Sequence, residues 1–132
     1  MSRVFVDTSA LLALLNPHDT SHNRARVAFE RLAEASDSLT TTSYVLVETY
    51  ALVGRRLGTE AVRAFRESFA PLLAVIWVDE PLHDAGLDLL LSRKSRRLSL
   101  VDAVSFVAIR QRAVDRVFAY DEDFRRERFD LL

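Results

Sequence analysis

Short apolar runs that alternate with helical segments are the feature that most constrains how this chain can fold. Four such runs have the length and composition of strands, at residues 4–6, 39–42, 75–78 and 117–120. Strands separated by helices require crossover connections, and crossovers produce a parallel sheet covered by helices. We therefore expect an α/β protein with a parallel sheet of four strands, or of five if residues 129–132 add an edge strand.

Capping residues and glycine mark the ends of the predicted helices. Asp7 precedes the first helix, threonines at 41–42 precede the third, and Gly58 follows its end. Asp79 is expected to cap a fifth helix that begins at Pro81. The run at 75–78 is apolar throughout, which is typical of a strand buried on both faces of a sheet. With 132 residues and no linker-like segment, one domain over residues 1–132 is expected.

Composition excludes several classes of protein. The three glycines form neither a G-x-G-x-x-G nor a P-loop pattern, which argues against nucleotide binding through a glycine-rich turn. The absence of cysteine excludes disulfides, thiolate zinc sites and a cysteine nucleophile. The longest apolar stretch, residues 70–78, contains Pro71 and is too short to cross a bilayer. With no secretory h-region near the first residues, we expect a cytoplasmic protein that does not associate with membranes.

Four acidic residues stand where the fold would bring them together. Asp7 follows the first predicted strand and Asp121 follows the fourth, so both lie where parallel sheets bind ligands. Glu48 lies on a helix with apolar or aromatic neighbours three and four residues away, and Asp102 lies on another with Leu98 and Phe106 four residues away. A carboxylate on a core-facing helix surface is costly unless it is paired or binds a metal.

Each acid also has a purely structural interpretation. Asp7 and Asp121 can cap helices, and Asp102 completes an S-x-x-D capping box with Ser99. Glu48 lies too deep in its helix to cap, so its structural alternative is a buried ion pair with an arginine. If the four carboxylates converge, a divalent cation must offset their repulsion, and oxygen ligands favour magnesium or manganese.

Four short motifs resemble those of the PIN-domain ribonucleases, and within them the VapC-type toxins of toxin–antitoxin pairs. They are VFVDTSAL at residues 4–11, Glu48 with Thr49, LVDA at 100–103 and FAYDEDF at 118–124. The resemblance implies a single PIN-like domain that hydrolyses RNA phosphodiester bonds with one or two magnesium or manganese ions. It also implies a homodimer and a small antitoxin protein that blocks the acidic groove.

The resemblance assigns the catalytic, metal-binding role to Asp7, Glu48, Asp102 and Asp121. Asp123 is a reserve ligand, whose alternative is a solvated surface acid. Thr8 or Ser9 is expected to hold a metal-bound water or to orient Asp7, although both can be ordinary residues of a first helical turn. Many relatives carry threonine or serine two positions before the fourth acid, where this chain has Ala119. A hydroxyl near the metal is therefore either missing or supplied by another residue.

Substrate binding requires positive charge near these acids. The basic residues just before the helix of Asp102 are candidates for contacting RNA phosphates, although a solvated charge run is nearly as good an interpretation; they are Arg93, Lys94, Arg96 and Arg97. No basic motif with interleaved aromatic residues indicates a platform for base stacking.

Two alternatives belong to other classes. A receiver-like signalling domain would use Asp79, but such domains also need an adjacent acidic pair after the first strand and a late lysine. Here Asp7 stands alone, and the single lysine, Lys94, lies between helices. The second alternative is a catalytically silent module that binds nucleic acid or protein, which the four intact acids argue against.

Overall fold

A four-stranded parallel sheet forms the centre of the protein in a computed structural model that describes residues 2–132. The strands lie in the order β3-β2-β1-β4, namely β1 (Arg3–Val6), β2 (Ser38–Thr42), β3 (Leu73–Ile76) and β4 (Arg116–Phe118). Seven α-helices accompany it: α1 (Thr8–Leu15), α2 (His22–Glu34), α3 (Ser43–Leu57), α4 (Thr59–Ala64), α5 (Glu80–Arg93), α6 (Leu100–Gln111) and α7 (Glu122–Arg126). The predicted α/β class and the parallel sheet are confirmed. Within residues 2–132, no helix has the length and apolar character needed to span a membrane.

The central strand β1 fixes where the acids lie. Val4, Phe5 and Val6 are at most 2% exposed, because β1 pairs with β2 on one side and β4 on the other. The amide of Asp7 donates to the carbonyl of Phe118 at 3.0 Å, which extends the pairing one residue past β1. The carboxyl ends of β1 and β4 therefore lie side by side, and Asp7 and Asp121 emerge at the same edge of the sheet.

The prediction for β3 was wrong in position and in burial. The strand covers Leu73–Ile76 rather than residues 75–78, and it lies at the edge of the sheet. Its last pair is Thr42 with Ile76, and Thr42 is already the N-cap of α3. Because β2 ends there, Trp77 has no strand to pair with and is 74% exposed.

Two other predicted elements differ in detail. The sequence also predicts a fourth helix from about Thr59 to Ala70; it is α-helical only to Ala64, continues as a π-helical turn over Phe65–Phe69, and ends in a short 3-10 turn. The possible fifth strand is reduced to one parallel bridge between Val117 and Leu131. The predicted helix ends hold elsewhere: Gly58 closes α3 with φ +91°, and Asp79 caps α5 by accepting from the amide of Leu82 at 3.0 Å.

Aromatic packing holds the helices that carry the acids. Phe106 of α6 meets Phe124 of α7 edge to face, with ring centroids 5.1 Å apart, and both side chains are fully buried. On the other side of α6, Gly86 of α5 lies so close to Val104 that any side chain there would clash. Burial of each large apolar side chain contributes about 1.5–3 kcal/mol, so α6 is firmly fixed between its neighbours.

Candidate metal centre

Asp7 combines a structural and a ligand-like role in one carboxylate. Its Oδ2 accepts hydrogen bonds from the amide and the hydroxyl of Ser9, at 3.0 and 2.7 Å, and so caps α1. Its Oδ1 is buried and has no hydrogen-bond partner within residues 2–132. Burial raises the pKa of Asp7 to about 6, and the charges of Asp121 and Glu48 add to the rise while Ser9 opposes it. A buried carboxylate oxygen without a hydrogen-bond partner is costly, and a bound cation would supply the missing partner.

Asp102 lies in the first turn of α6, with its side chain 8% exposed. Ser99 caps the helix as predicted, since its hydroxyl accepts from the amide of Asp102 at 3.1 Å. Burial raises the pKa of Asp102 to about 7, and the charges of Asp7, Asp121 and Glu48 raise it further, against an opposing contribution from Ser99. The capping role therefore does not exclude a ligand role, because the cap uses the hydroxyl of Ser99 and the acid still faces three other carboxylates.

Asp121 and Asp123 begin α7 next to Asp102. Oδ1 of Asp121 accepts from the amide of Asp123 at 2.9 Å, which makes Asp121 the helix cap. Carboxylate oxygens of Asp102, Asp121 and Asp123 lie within 4.8 Å of one another. Arg126 donates to Asp123 at 3.0 Å from one turn further along. Asp123, predicted only as a reserve ligand, therefore lies within the acidic group, in the first turn of α7.

Glu48 is half-buried on α3 and forms no ion pair within residues 2–132. The arginine partner that would make it a structural residue is therefore not found. Its position is set by the next residue, Thr49, whose hydroxyl contacts that of Thr8 at 3.1 Å. Thr49 donates to the carbonyl of Val45 at 2.7 Å, and the hydroxyl of Thr8 is left to donate to that of Thr49, so α1 and α3 are joined beside the acids. Thr8 thus acts here by joining two helices.

The hydroxyl of Ser9 lies between Asp7 and the backbone after Ala119. Its Oγ donates to Asp7 and accepts from the amide of Tyr120 at 2.9 Å, so it connects the ends of β1 and β4. This contact orients the carboxylate of Asp7 and keeps its second oxygen free. The sequence left open whether the hydroxyl was missing or supplied elsewhere, and the fold places one from the neighbouring strand end.

The donor set fits a hard divalent cation. It consists of carboxylate oxygens, one of them buried without a partner, and three of them within reach of a single ion. The pKa values of Asp7 and Asp102 are raised first by burial and then by the neighbouring carboxylates, and a bound cation would offset both effects. Residues 2–132 hold no cysteine that would favour zinc through a thiolate.

The basic residues before α6 are not equivalent. Arg93, the last residue of α5, forms a salt bridge with Glu127, whose second oxygen accepts from Arg110 at 2.6 Å. These hydrogen bonds, led by that of Arg93, hold the pKa of Glu127 below its ordinary value. Arg93 is therefore held by Glu127, whereas the next three basic residues are exposed on the segment leading into α6 and form no ion pair within residues 2–132: Lys94, Arg96 and Arg97.

Comparisons with known proteins identify the family and the fold. A family model described as PIN domain matches residues 4–129. A curated protein from Mycobacterium tuberculosis, the 23S rRNA-specific endonuclease VapC20, is 33% identical over 122 residues, which are 92% of this chain and 91% of that protein. The crystal structure of that protein, described as a sarcin–ricin loop cleaving toxin, superposes with a TM-score of 0.80 over 96% of this chain and 95% of its own.

More distant structures share the fold. VapBC2 from Rickettsia felis, bound to a DNA fragment from its promoter, superposes with a TM-score of 0.72 at 17% identity, over 98% of this chain and 97% of the other. FitAcB from Neisseria gonorrhoeae also reaches 0.72, at 15% identity, over 98% of this chain and 96% of the other.

Proposed function

The chain belongs to the PIN-domain family, and on that premise we propose that it is a metal-dependent endoribonuclease, the toxin of a type II toxin–antitoxin pair. The observation that carries the proposal is the cluster of carboxylates at the carboxyl edge of the sheet, with one buried oxygen of Asp7 left without a partner. Clustered carboxylates of this kind are suited to hydrolysing phosphodiester bonds with a bound cation.

A magnesium or manganese ion, one or two in number, would be held by Asp102, Asp121 and Asp123, whose carboxylate oxygens converge, together with Asp7 and Glu48. When bound, the ion lowers the pKa of a water and offsets negative charge on the phosphate. Asp7 contributes its free Oδ1, and Ser9 keeps the other oxygen engaged and the side chain oriented. Arg126 limits the movement of Asp123.

The carboxylates also provide the proton acceptors that hydrolysis needs. Asp102, whose pKa is about 7 in the metal-free protein, loses its proton near neutral pH and becomes available as a ligand or base. Glu48 is half-buried and free of an arginine partner, so its carboxylate can accept a proton from the attacking water. Cleavage in this way breaks the bond to the 3′-oxygen and leaves a 5′-phosphate.

The proposed substrate is structured ribosomal RNA. The relative at 33% identity is named a 23S rRNA-specific endonuclease and cleaves the sarcin–ricin loop. A protein that acts on ribosomal RNA works in the cytoplasm. The proposal includes a small antitoxin partner and a homodimer.

The test is cleavage of end-labelled RNA by purified protein, with manganese, magnesium or excess EDTA. The substrates are a hairpin containing the sarcin–ricin loop and total bacterial RNA. Asp7→Asn removes one ligand charge, and Asp79→Asn is the matched control because Asp79 caps α5 and is not one of the clustered carboxylates. We expect metal-dependent cleavage by the wild type and the control, with 5′-phosphate products, and none by Asp7→Asn. Absence of cleavage of both RNAs with either metal would refute the proposal and favour a silent binding module.

A further inference from the structure

A groove leads away from the carboxylate cluster along α2. It begins as a pocket of about 110 Å³ with Asp121, Tyr120 and Arg24 in its walls. It continues as a shallower groove of about 420 Å³ that passes Arg24 and Arg31 and reaches Leu132. The two share Arg24, Tyr120 and Leu132, so they lie next to each other along α2, and the first of them has a carboxylate of the cluster in its wall.

Arg24 is a positive charge held in place but not neutralised. Its guanidinium carbon lies 5.1 Å from the centre of the Tyr120 ring, a cation–π contact that limits the freedom of an otherwise exposed side chain. In the part of the chain from Ser2 to Leu132, neither Arg24 nor Arg31 takes part in an ion pair. Both arginines are exposed. They are seven residues apart on α2, which puts them on one face with about 10 Å between them along the helix.

The acids near the groove already have partners. Asp37 is bound to Arg116 at 3.2 Å and to the amide of Ser2 at 2.8 Å. Glu122 lies 3.4 Å from Arg125. Asp19 accepts from the amide of Ser21 at 2.8 Å. Arg24 and Arg31 are therefore cations in the groove that form no ion pair within residues 2–132, while Asp121 and Asp19 keep their negative charge at the end next to the cluster.

We propose that this groove binds the RNA strand on one side of the cleaved bond. Arg24, fixed on Tyr120, contacts the phosphate next to the cluster, and Arg31 contacts one further along. The proposal rests on the proposed function, because a strand held at Asp121 must continue past the walls of the site. Cations tracking a backbone beside an aromatic ring are the usual means of binding single-stranded nucleic acid. An acidic protein segment is the competing occupant, and the position of the groove beside the cleavage site favours RNA.

The test compares Arg24→Ala and Arg31→Ala with Arg26→Ala. Arg26 is the matched control, since it lies on the same helix, is exposed, pairs with Glu30 at 2.9 Å and lines neither part of the groove. Steady-state cleavage of labelled RNA with manganese should show KM raised about tenfold by Arg24→Ala, with kcat within about twofold. Loss of a contact made equally in the ground and transition states changes KM alone. Arg26→Ala should leave both unchanged.

The salt dependence of RNA affinity distinguishes a lost phosphate contact from a change in the structure of the protein. Binding of a fluorescent 20-nucleotide mixed-sequence RNA is measured in the cleavage-inactive Asp7→Asn background, in which every variant is compared under the same metal-free conditions. Each lost phosphate contact should reduce the slope of log affinity against log salt by about 0.7. Arg24→Lys should restore that slope, because it keeps the charge, while its KM stays above that of the wild type because lysine lacks the planar group that stacks on Tyr120.

The failures of the two proposals are distinguishable. If the wild type cleaves RNA and the Arg24 and Arg31 variants match Arg26→Ala in KM and salt slope, the RNA path along α2 is refuted and the nuclease stands. If those variants lose only the affinity for a protein partner while cleaving normally, the groove belongs to that partner and the RNA assignment is again refuted. If the wild type neither cleaves nor binds RNA, the proposed function fails and this inference fails with it.

Discussion

Replacing Asp7 with asparagine should stabilise the metal-free protein while destroying its metal site. Asp7 is 3% exposed, and burial raises its pKa from 3.8 to about 6. A shift of about two units costs about 3 kcal/mol of folding free energy at pH 7, where the buried group is ionised. Asparagine carries no charge and keeps a side-chain oxygen to accept from Ser9, so Asp7→Asn should raise the free energy of unfolding by about 3 kcal/mol in EDTA.

The pH dependence follows from the direction of the shift. Between the unfolded and folded pKa values the native state holds a proton that the unfolded state has lost, so the stability of the wild type falls as pH rises from about 4 through 6. The advantage of Asp7→Asn should therefore shrink to about 1 kcal/mol at pH 4.5. Manganese at a hundred times its Kd should stabilise the wild type by about 2.7 kcal/mol and nearly close the gap at pH 7.

Urea denaturation followed by circular dichroism measures these differences directly. Asp79→Asn is the control, because it caps α5 at an exposed position and should change stability by no more than about 0.5 kcal/mol. Asp7→Asn should not be less stable than the wild type in EDTA at pH 7. A lower free energy of unfolding for Asp7→Asn would refute the prediction, because it would mean that ionising the buried Asp7 does not destabilise the folded protein.

Four further predictions concern other residues. Glu48→Gln should lower kcat for RNA cleavage by about 10²-fold or more, with an unchanged circular dichroism spectrum, because it removes a carboxylate that can take a proton. Ser9→Ala should weaken manganese binding about 10- to 100-fold in calorimetry, because Asp7 loses the hydroxyl that orients it. Glu127→Ala should lower the free energy of unfolding in urea by about 1–2 kcal/mol, since two arginines lose their partner. Gly86→Ala should cost about 1–3 kcal/mol in the same assay, because its Cβ would lie 2.4 Å from a methyl group of Val104.

The sequence predicted the elements that local signals define. Alternating apolar runs and helical segments were enough for the parallel sheet, and Asp79 and Gly58 marked helix ends because capping depends on nearby residues. The error at β3 has a non-local cause. Residues 75–78 are apolar, but strand length is set by the partner, and β2 ends at Thr42 to begin α3. Nothing in the sequence of residues 75–78 indicates where the neighbouring strand β2 ends.

The sequence indicated which acids form the cluster better than it indicated how they are arranged. Strand ends and apolar neighbours indicated Asp7, Glu48, Asp102 and Asp121. In the structure these acids lie close enough for the neighbouring charges to raise the pKa of Asp7 and of Asp102. The inclusion of Asp123 depends on how α7 starts, which a single-sequence pattern does not specify. Their roles as metal ligands stay predictions.

The contacts between distant segments had no sequence signal. The hydroxyl of Ser9 reaches the amide of Tyr120, 111 residues later, because β1 and β4 are adjacent. Arg24 lies over Tyr120 for the same kind of reason, which is why a basic and aromatic surface was not expected from the sequence. The pairing of Arg93 with Glu127 is likewise a tertiary contact, and it removes one of the four predicted phosphate-binding residues from the free charges.

Crystals grown with manganese would test the central claim most directly, through an anomalous difference map of the carboxylate cluster. The account predicts a manganese peak bounded by Asp102, Asp121 and Asp123, with Oδ1 of Asp7 as a further ligand and the hydroxyl of Ser9 still on Oδ2. A map with no peak at this cluster at saturating manganese, while the purified protein binds the ion elsewhere or not at all, would contradict the metal centre and the nuclease mechanism built on it.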